Sequence, residues 1–227
     1  MTVKLFNSSA SVDEKTILDQ IAYAARVSNP SNQKDNNNAE KLIRYLIAHK
    51  HWSPFEMVSI CLEIETTRDI ARQLLRHRSF SFQEFSQRYA DPTKDLKFEL
   101  REARLQDLKN RQNSIEIGST PLQQEWYRLQ QKALDAACSA YSWAMENGVA
   151  KEQARVVLPE GLTQSRLYVN GTVRSWIHYI QLRSAPGTQK EHRILAIECA
   201  KAIEPTFPMI KEFVDFEGIE EYNSFSK

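Results

Sequence analysis

A row of arginines leads into a polar segment near the middle of the chain. Arg68, Arg72 and Arg76 recur every fourth residue, the spacing that places side chains on one face of a helix. Residues 79–89 (SFSFQEFSQRY) follow, rich in hydroxyl and amide groups, with one carboxylate at Glu84. Several cations beside such groups can hold an anionic, hydrogen-bonding ligand. The alternative is a solvated basic face, since charged side chains are common on protein surfaces.

The placement of the glycines excludes two common ways of binding phosphates. All six glycines of the 227 residues lie after Ile117. Their spacing matches neither the dinucleotide motif G-x-G-x-x-G nor the P-loop motif G-x-x-x-x-G-K-[ST]. A bound dinucleotide or nucleoside phosphate would therefore be held by side chains, and arginines can supply the bidentate contacts.

The sequence offers little support for metal or covalent chemistry. The three cysteines, at positions 61, 138 and 199, are too far apart for a C-x-x-C site and are odd in number, so we predict no disulfide framework and no cysteine nucleophile. His49 and His51 form an H-x-H pair without a third ligand, and no metal site is predicted. Ser86 has no histidine–aspartate pair to activate it, which favours a hydrogen-bonding role over nucleophilic attack.

Other histidines and aromatic residues have competing interpretations. His178 lies one helical turn after Arg174 and is either a ligand contact or a core histidine. His192 is expected to be exposed. Trp176, Tyr179 and other large aromatic residues are assigned to the core.

The elements that must position these residues are mostly helices. Alternation of apolar and polar residues predicts a strand over 58–65, and a second short strand is predicted at 167–169. The first helix is predicted over 12–27, with a capping box from Ser11 to Glu14. The strongest helix is predicted to begin at Thr120, which forms a capping box with Gln123, and to end at Gly148. Further helices are predicted around 42–47 and 68–76 and over 151–158, 172–183 and 189–203. The fold class is α+β, a single domain over 1–227 with a helical majority around a small antiparallel sheet.

The composition is that of an ordinary soluble protein. Hydrophobic residues make up 41% and charged residues 26%, with a net charge of +1 and a sequence pI near 7.7. This balance argues against a surface devoted to a polyanion. The N-terminus lacks the long apolar run of a signal peptide, and no membrane span is expected. A reducing cytoplasm is the expected location.

Residues 76–89, RHRSFSFQEFSQRY, resemble the signature of the flavin-dependent thymidylate synthases, R-H-R followed by seven residues and S, extended by S-x-R-Y. Supporting segments occur in the family's order: HWSPFE at 51–56, ARQ at 71–73, ARVVLP at 154–159, and the segments around Arg174 and Arg183. The resemblance covers roughly residues 24–213. Because the segments keep their order, chance is a poor explanation.

The resemblance implies methylation of dUMP to dTMP. In this family 5,10-methylenetetrahydrofolate is the carbon donor, and FAD, reduced by NADPH, carries the hydride. It also implies a homotetramer whose sites are shared between subunits. No nucleic-acid or membrane partner is implied.

The family's functional residues map onto this chain by position. Arg183 matches the residue that activates the uracil, and being always cationic it could stabilise negative charge at the N3–O4 side of the ring. The matched flavin contacts are Ser53, Arg76, His77, Arg78, Glu84, Arg174 and His178. The matched nucleotide contacts are Gln73, Leu75, Arg76, Glu84, Ser86, Gln87, Arg88, Arg155 and Arg183.

Two departures from the family pattern concern the flavin contacts. Met57 stands where many members have histidine. Thr172 and His178 align with asparagines of the late helix, so this chain departs from the family pattern in that region.

Two other interpretations compete with the enzyme. A noncatalytic nucleic-acid-binding protein would use the basic cluster from Arg68 to Arg88 on phosphates, although the near-zero net charge counts against it. A degenerate homologue would bind nucleotide without turnover.

Overall fold

The computed structural model describes residues 1–13, 15–33 and 38–217. Its helices and strands are β1 (Thr2–Ser8), α1 (Ile17–Ala25), α2 (Ala39–Ala48), β2 (Ser59–Thr67), α3 (Arg68–Leu74), β3 (Phe80–Glu84), α4 (Pro92–Asp95), β4 (Arg104–Gln106), β5 (Ser114–Glu116), α5 (Pro121–Glu146), α6 (Lys151–Ala154), β6 (Gln164–Thr172), α7 (Val173–Arg183) and α8 (Lys190–Ile203), with 3₁₀ turns at Ser53–Glu56, Arg155–Val157 and Pro208–Phe213.

A four-stranded antiparallel sheet in the order β1-β2-β6-β3 carries the main core, and β4 and β5 form a separate hairpin. The alternation predicted for β2 is confirmed, because its apolar side chains at 60, 62 and 64 are fully buried. Glu63 and Glu65 lie on the opposite face, where they accept hydrogen bonds from Tyr168 and Arg166 of β6. The buried face packs against α1, α2, α3, α7 and α8. The predicted α+β class with a small antiparallel sheet is therefore confirmed.

The sheet also fixes the segment before β3. Gly171 of β6 lies opposite Phe80, the first residue of β3. A Cβ atom at position 171 would lie 2.2 Å from the Phe80 ring, so only glycine permits this close approach. Trp176 packs on Phe80 with ring centroids 4.5 Å apart, and its indole N–H donates to the Ile60 carbonyl oxygen. The start of β3 is thereby held against α7.

The long helix α5 packs largely outside the main core. Tyr141 and Ala144 join Ala154 and Leu158 in a second, smaller apolar cluster. Gln130 ties the helix to residue 101 with two hydrogen bonds of 2.8 Å, one to the backbone N–H and one to the carbonyl. Much of the remaining helix surface is exposed, including several large apolar side chains. No helix in the described ranges is both long enough and apolar enough to cross a membrane.

Several predicted boundaries are wrong. α1 begins at Ile17 and not at Val12, because Thr16 and Asp19 form its capping box; Glu14 of the predicted box lies outside the described residues. Thr120 caps α5 as predicted, but the side chain of Gln123 accepts a hydrogen bond from the backbone of Ala103.

Other elements are longer, shorter or new. β6 extends the predicted 167–169 strand to nine residues by pairing with β2 along its length. The helix predicted over 151–158 keeps α-helical geometry only to Ala154 and then tightens into a 3₁₀ turn. β1 and the β4–β5 hairpin were not predicted from the sequence.

Candidate active site

The arginine row is split between a helix and a turn. Arg68 and Arg72 lie on α3, whereas Arg76 lies in the turn after it. The Nε atoms of Arg68 and Arg72 donate to the Glu160 carboxylate at 3.1 and 2.8 Å. Burial opposes the charge of Glu160, but these hydrogen bonds outweigh it and lower the pKa of the carboxyl. The helical part of the row is therefore neutralised within the chain.

Glu84 belongs to the same neutralised group. Its carboxylate accepts a hydrogen bond of 2.8 Å from Ser165 and lies 3.5 Å from the guanidinium of Arg68, which is 8% exposed. The prediction assigned Glu84 to both flavin and nucleotide. Within one chain its carboxylate already has two partners.

The turn between α3 and β3 is different. Arg76 and Arg78 are exposed there, and within the described ranges neither has a carboxylate within 4.0 Å. Leu75, between α3 and this turn, is partly buried against the main core. Two uncompensated guanidinium groups on a short turn are suited to an anion, above all to phosphate.

His77 lies between these arginines and contacts a third. The Nε of Arg183 donates to Nε2 of His77 at 2.9 Å. Burial, followed by the charge of Arg183, lowers the pKa of His77 to about 4. The ring is therefore neutral at pH 7 and carries its proton on Nδ1, since Nε2 accepts. A neutral partner orients Arg183 without cancelling its charge.

A cleft of about 470 Å³, here named the α7 cleft, opens beside this pair. Arg174 and His178 both lie on its wall, one turn apart on α7, and His178 is exposed, which contradicts the core alternative. Arg174 donates to Glu56 at 2.6 Å, and Ser53 lies on the same 3₁₀ turn as Glu56. The residues that line the cleft are Trp52, Glu56, Ser79, Arg174, Ser175, Ile177, His178 and Gln181.

Another group of predicted residues lies where the segment after β3 meets α6. Arg88 pairs with Glu152 of α6 at 3.2 Å, and the hydroxyl of Ser86 accepts from the backbone N–H of Arg88. Arg155 follows α6 and has no carboxylate within 4.0 Å in the part of the chain described. Gln87 is only 5% exposed, and its buried Nε2 has no hydrogen-bond partner among those residues. A buried unpaired donor is costly, and a bound acceptor would remove that cost.

Leu75 packs against the main core and Glu84 pairs with Arg68. The structure distributes the other predicted residues among three groups. These are the α7 cleft with Ser53, Arg174 and His178; the pair His77 and Arg183 with the neighbouring Gln73, Arg76 and Arg78; and the turn with Ser86, Gln87, Arg88 and Arg155.

The prediction for His192 is wrong. Its side chain is fully buried, and its ring nitrogens lie 3.1 Å from Gln73 Oε1 and 3.1 Å from the Tyr179 hydroxyl. The signal was present in the sequence, because His192 shares the helical spacing of the buried residues Leu195 and Cys199. The flanking charged residues Glu191 and Arg193 obscured that spacing.

The cysteines lie where predicted, in β2, α5 and α8. Burial raises the pKa of the Cys61 thiol, and it raises the pKa of the Cys199 thiol well above the usual range. Neither thiol is suited to nucleophilic attack at neutral pH.

Fold and site together define an α+β protein with a helical majority. A neutral histidine and arginines that have no carboxylate partner among the described residues form a site suited to phosphorylated ligands. The family model described as thymidylate synthase complementing protein matches residues 12–209. The chain belongs to this family.

Curated relatives agree with this assignment. The chain is 46% identical over 218 residues to a protein of Paramecium bursaria Chlorella virus 1 called probable flavin-dependent thymidylate synthase, covering 95% of this chain and 100% of the relative. It is 48% identical over 191 residues to the flavin-dependent thymidylate synthase of Synechocystis sp., covering 84% of this chain and 86% of the relative.

A solved relative has the same fold. The UMP/dUMP methylase PolB from Streptomyces cacaoi, bound with 5-Br dUMP, is similar with a TM-score of 0.74 and 30% identity, and 93% of each chain is covered.

Proposed function

We propose that this protein is a flavin-dependent thymidylate synthase. It methylates dUMP to dTMP, with 5,10-methylenetetrahydrofolate as carbon donor and NADPH-reduced FAD as hydride donor. The observation that carries the proposal is the His77–Arg183 pair beside Arg76 and Arg78, within a chain of this family. Relatives of that name at up to 48% identity support the reaction.

The residues present fit a flavin dinucleotide. The α7 cleft offers the aromatic Trp52 and the hydroxyl-bearing Ser79 on its walls, and the adjoining turn offers Arg76 and Arg78 as diphosphate contacts without a glycine loop. His77, Ser53, Arg174, His178 and Glu84 complete the proposed flavin contacts. When bound, FAD supplies hydride transfer, and the protein's part is to bind and orient it.

Arg183 is the proposed catalytic residue. Only its Nε is engaged by a described residue, His77, so both Nη groups can face a ligand. Directed at the N3–O4 side of the uracil, they would stabilise the negative charge that develops as C5 becomes nucleophilic. The proposed nucleotide contacts are Gln73, Leu75, Arg76, Glu84, Ser86, Gln87, Arg88, Arg155 and Arg183.

The proposed assembly is a homotetramer with shared sites, in the cytoplasm. The sharing of sites between subunits follows from the resemblance to the family. The exposed apolar residues of α5, among them Trp126, Leu129 and Trp143, offer a surface that a second copy could cover. Light scattering of the purified protein measures the assembly, and a monomer that is fully active would contradict it.

The visible spectrum of the purified protein tests the function. We expect a flavin spectrum that changes when dUMP is added, and formation of dTMP when the folate donor and NADPH are supplied. Protein that neither contains nor binds flavin, or that fails to convert dUMP under these conditions, contradicts the proposal. Binding of nucleotide without turnover would indicate a degenerate homologue.

The same preparation tests the nucleic-acid alternative. The ion pairs of Arg68 and Arg72 with Glu160 compensate two of the five arginines in the basic cluster that motivated it. Salt-sensitive DNA binding by a protein without flavin would restore that alternative.

A further inference from the structure

A chain of hydrogen bonds, here named the Gln73 relay, runs from the buried hydroxyl of Tyr179 to a carboxylate. Tyr179 contacts Nε2 of His192 at 3.1 Å, and Nδ1 of His192 contacts Oε1 of Gln73 at 3.1 Å. Nε2 of Gln73 donates to Oε1 of Gln189 at 2.8 Å, and Nε2 of Gln189 donates to Glu191 at 2.8 Å. The relay places a glutamine carboxamide between a buried histidine and a buried acid.

The acid at one end sets the direction of every bond. Glu191 is 9% exposed, and its two oxygens lie 2.7 and 2.9 Å from Arg104, while Arg101 lies 3.2 Å away. Burial opposes its charge, but its backbone hydrogen bond and the neighbouring arginines outweigh burial and lower the pKa of Glu191. An ionised carboxylate only accepts hydrogen bonds. Gln189 must therefore turn its N–H group toward it.

The remaining orientations follow in sequence. Because the N–H of Gln189 is turned to the acid, its oxygen faces Gln73. Gln73 must therefore donate to that oxygen through Nε2, and its own oxygen faces His192. His192 then donates from Nδ1 and accepts at Nε2 from the hydroxyl of Tyr179. This requires a neutral ring with one proton. Burial, followed by the charges of Arg183 and His77, lowers the pKa of His192 to about 3 and keeps it neutral.

The relay leaves part of the Gln73 carboxamide free. Among the described residues, its partners occupy two of its four hydrogen-bonding positions, which leaves a second N–H and a second oxygen lone pair. If the carboxamide could rotate by half a turn, its oxygen and its NH2 group would exchange places, and the same position would offer either an acceptor or a donor. A fixed carboxamide offers only one of them at each place.

We infer that Glu191 and His192 are positioning residues that fix the orientation of Gln73 for nucleotide binding. Neither residue belongs to the predicted site, and each acts through the carboxamide between them. The inference rests on the proposed function and deepens it, since Gln73 is one of the proposed nucleotide contacts.

The first test replaces the acid by its neutral isostere in the flavin-loaded holoenzyme. Glu191→Gln can donate or accept, so it no longer sets the direction of the relay. We expect the Kd of dUMP, measured by calorimetry, and its KM to rise about five- to tenfold while kcat stays within about twofold. Glu102→Gln is the matched control, because Glu102 pairs with the same Arg104 and with Lys190 but lies outside the relay.

The second test separates orientation from packing at the histidine. Asparagine at position 192 can place an amide N–H where Nδ1 was, whereas leucine cannot donate. We expect His192→Asn to bind dUMP within about threefold of the wild type, and His192→Leu to lose about tenfold. Thermal unfolding reports any general loss of stability in both variants.

The outcomes distinguish this inference from the proposed function. If Glu191→Gln binds dUMP as tightly as the wild type, the inference is overturned. It is also overturned if Glu191→Gln and Glu102→Gln lose affinity for dUMP to the same extent. If His192→Leu fails to fold, a tenfold loss of affinity in a stably folded His192→Asn also overturns it. Wild-type holoenzyme that neither binds nor methylates dUMP overturns the proposed function, and this inference with it.

Discussion

Two sets of arginines in this molecule have opposite surroundings. The paired arginines are four of those that have carboxylate partners: Arg68, Arg72, Arg101 and Arg104. The carboxylate-free arginines are four arginines of the candidate site that have no acid within 4.0 Å in the described ranges: Arg76, Arg78, Arg155 and Arg183.

The difference separates stability from binding. A buried guanidinium needs an acid beside it, because an unpaired charge is costly to remove from water. An arginine of a site that is not buried does not need one, and Arg76, Arg78, Arg155 and Arg183 have none within the described ranges. Two other arginines of the candidate site, Arg88 and Arg174, do pair with acids, Glu152 and Glu56. Sequence spacing placed Arg68, Arg72 and Arg76 in one class, whereas the structure assigns the first two to the fold and the third to the site.

The largest expected effect is on catalysis at Arg183. Arg183→Ala should lower kcat/KM by about 10²- to 10³-fold, the usual cost of removing one group that stabilises a developing anion. The free energy of unfolding should change little, since Arg183 pairs with no acid in the part of the chain that the structure describes. Steady-state and single-turnover assays with dUMP measure the loss. Unchanged activity would show that the catalytic assignment is wrong.

Arg68 should show the reverse behaviour. Arg68→Ala leaves Glu84 and Glu160 without their shared cation, and we expect the free energy of unfolding to fall by about 2–3 kcal/mol. Arg76 has no acid partner within the described ranges, so the free energy of unfolding of Arg76→Ala should stay within about 0.5 kcal/mol of the wild type. Chemical denaturation at pH 7 measures both. Equal losses in the two variants would remove the distinction between the sets.

The histidines beside Arg183 predict a dependence of stability on pH. The pKa values of His77, about 4, and His192, about 3, lie below the unfolded value near 6.5, so the unfolded chain binds more protons between those limits. Stability is therefore complete above about pH 6.5 and falls as the pH drops toward 4 and then 3. By pH 5, protonation linked to His192 alone should lower the free energy of unfolding by about 2 kcal/mol. The more exposed His77 should lower it by less.

Denaturation between pH 7 and 5 checks this dependence above the range in which carboxylates usually titrate. His192→Asn should lose a large part of the slope. A slope equal to that of the wild type would contradict the neutral, buried state of His192.

The smallest expected effect compares neighbouring arginines of the original row. Arg76→Ala should raise the Kd of flavin or dUMP about tenfold, by loss of one charge-assisted contact to phosphate. Arg72→Ala is the matched control and should stay within about twofold, because its guanidinium already binds Glu160. Titrations at low and high salt measure both, and the effect of Arg76→Ala should shrink as salt screens the charge. A larger effect from Arg72→Ala would reverse the assignment.

Elements with strong local signals were predicted well. The alternation of β2, the Thr120 cap of α5 and the spans of α7 and α8 depend on residues a few positions apart, and the structure confirms them. β1 gave no such signal, because most of its residues are exposed and it forms by pairing with β2, so that Val3 lies opposite Ile64.

For the candidate site, the sequence indicated which residues take part but not which residues they contact. The signature residues 76–89 and the segments around Arg174 and Arg183 were found from the sequence, and their roles remain proposals. Glu160, which neutralises the arginine row, and His192, which holds Gln73, were missed. Each lies far along the chain from its partner, and spacing carries no information about such pairs.

The sequence by itself determined the helical majority, the alternating strand and the absence of a glycine phosphate loop, since all three depend on residue type and local spacing. It also carried the signature that led to the family. Only the tertiary structure decided which arginines keep a free charge and which amides have a fixed orientation. The physical reason is that charge compensation and hydrogen-bond direction depend on groups that folding brings together from distant parts of the chain.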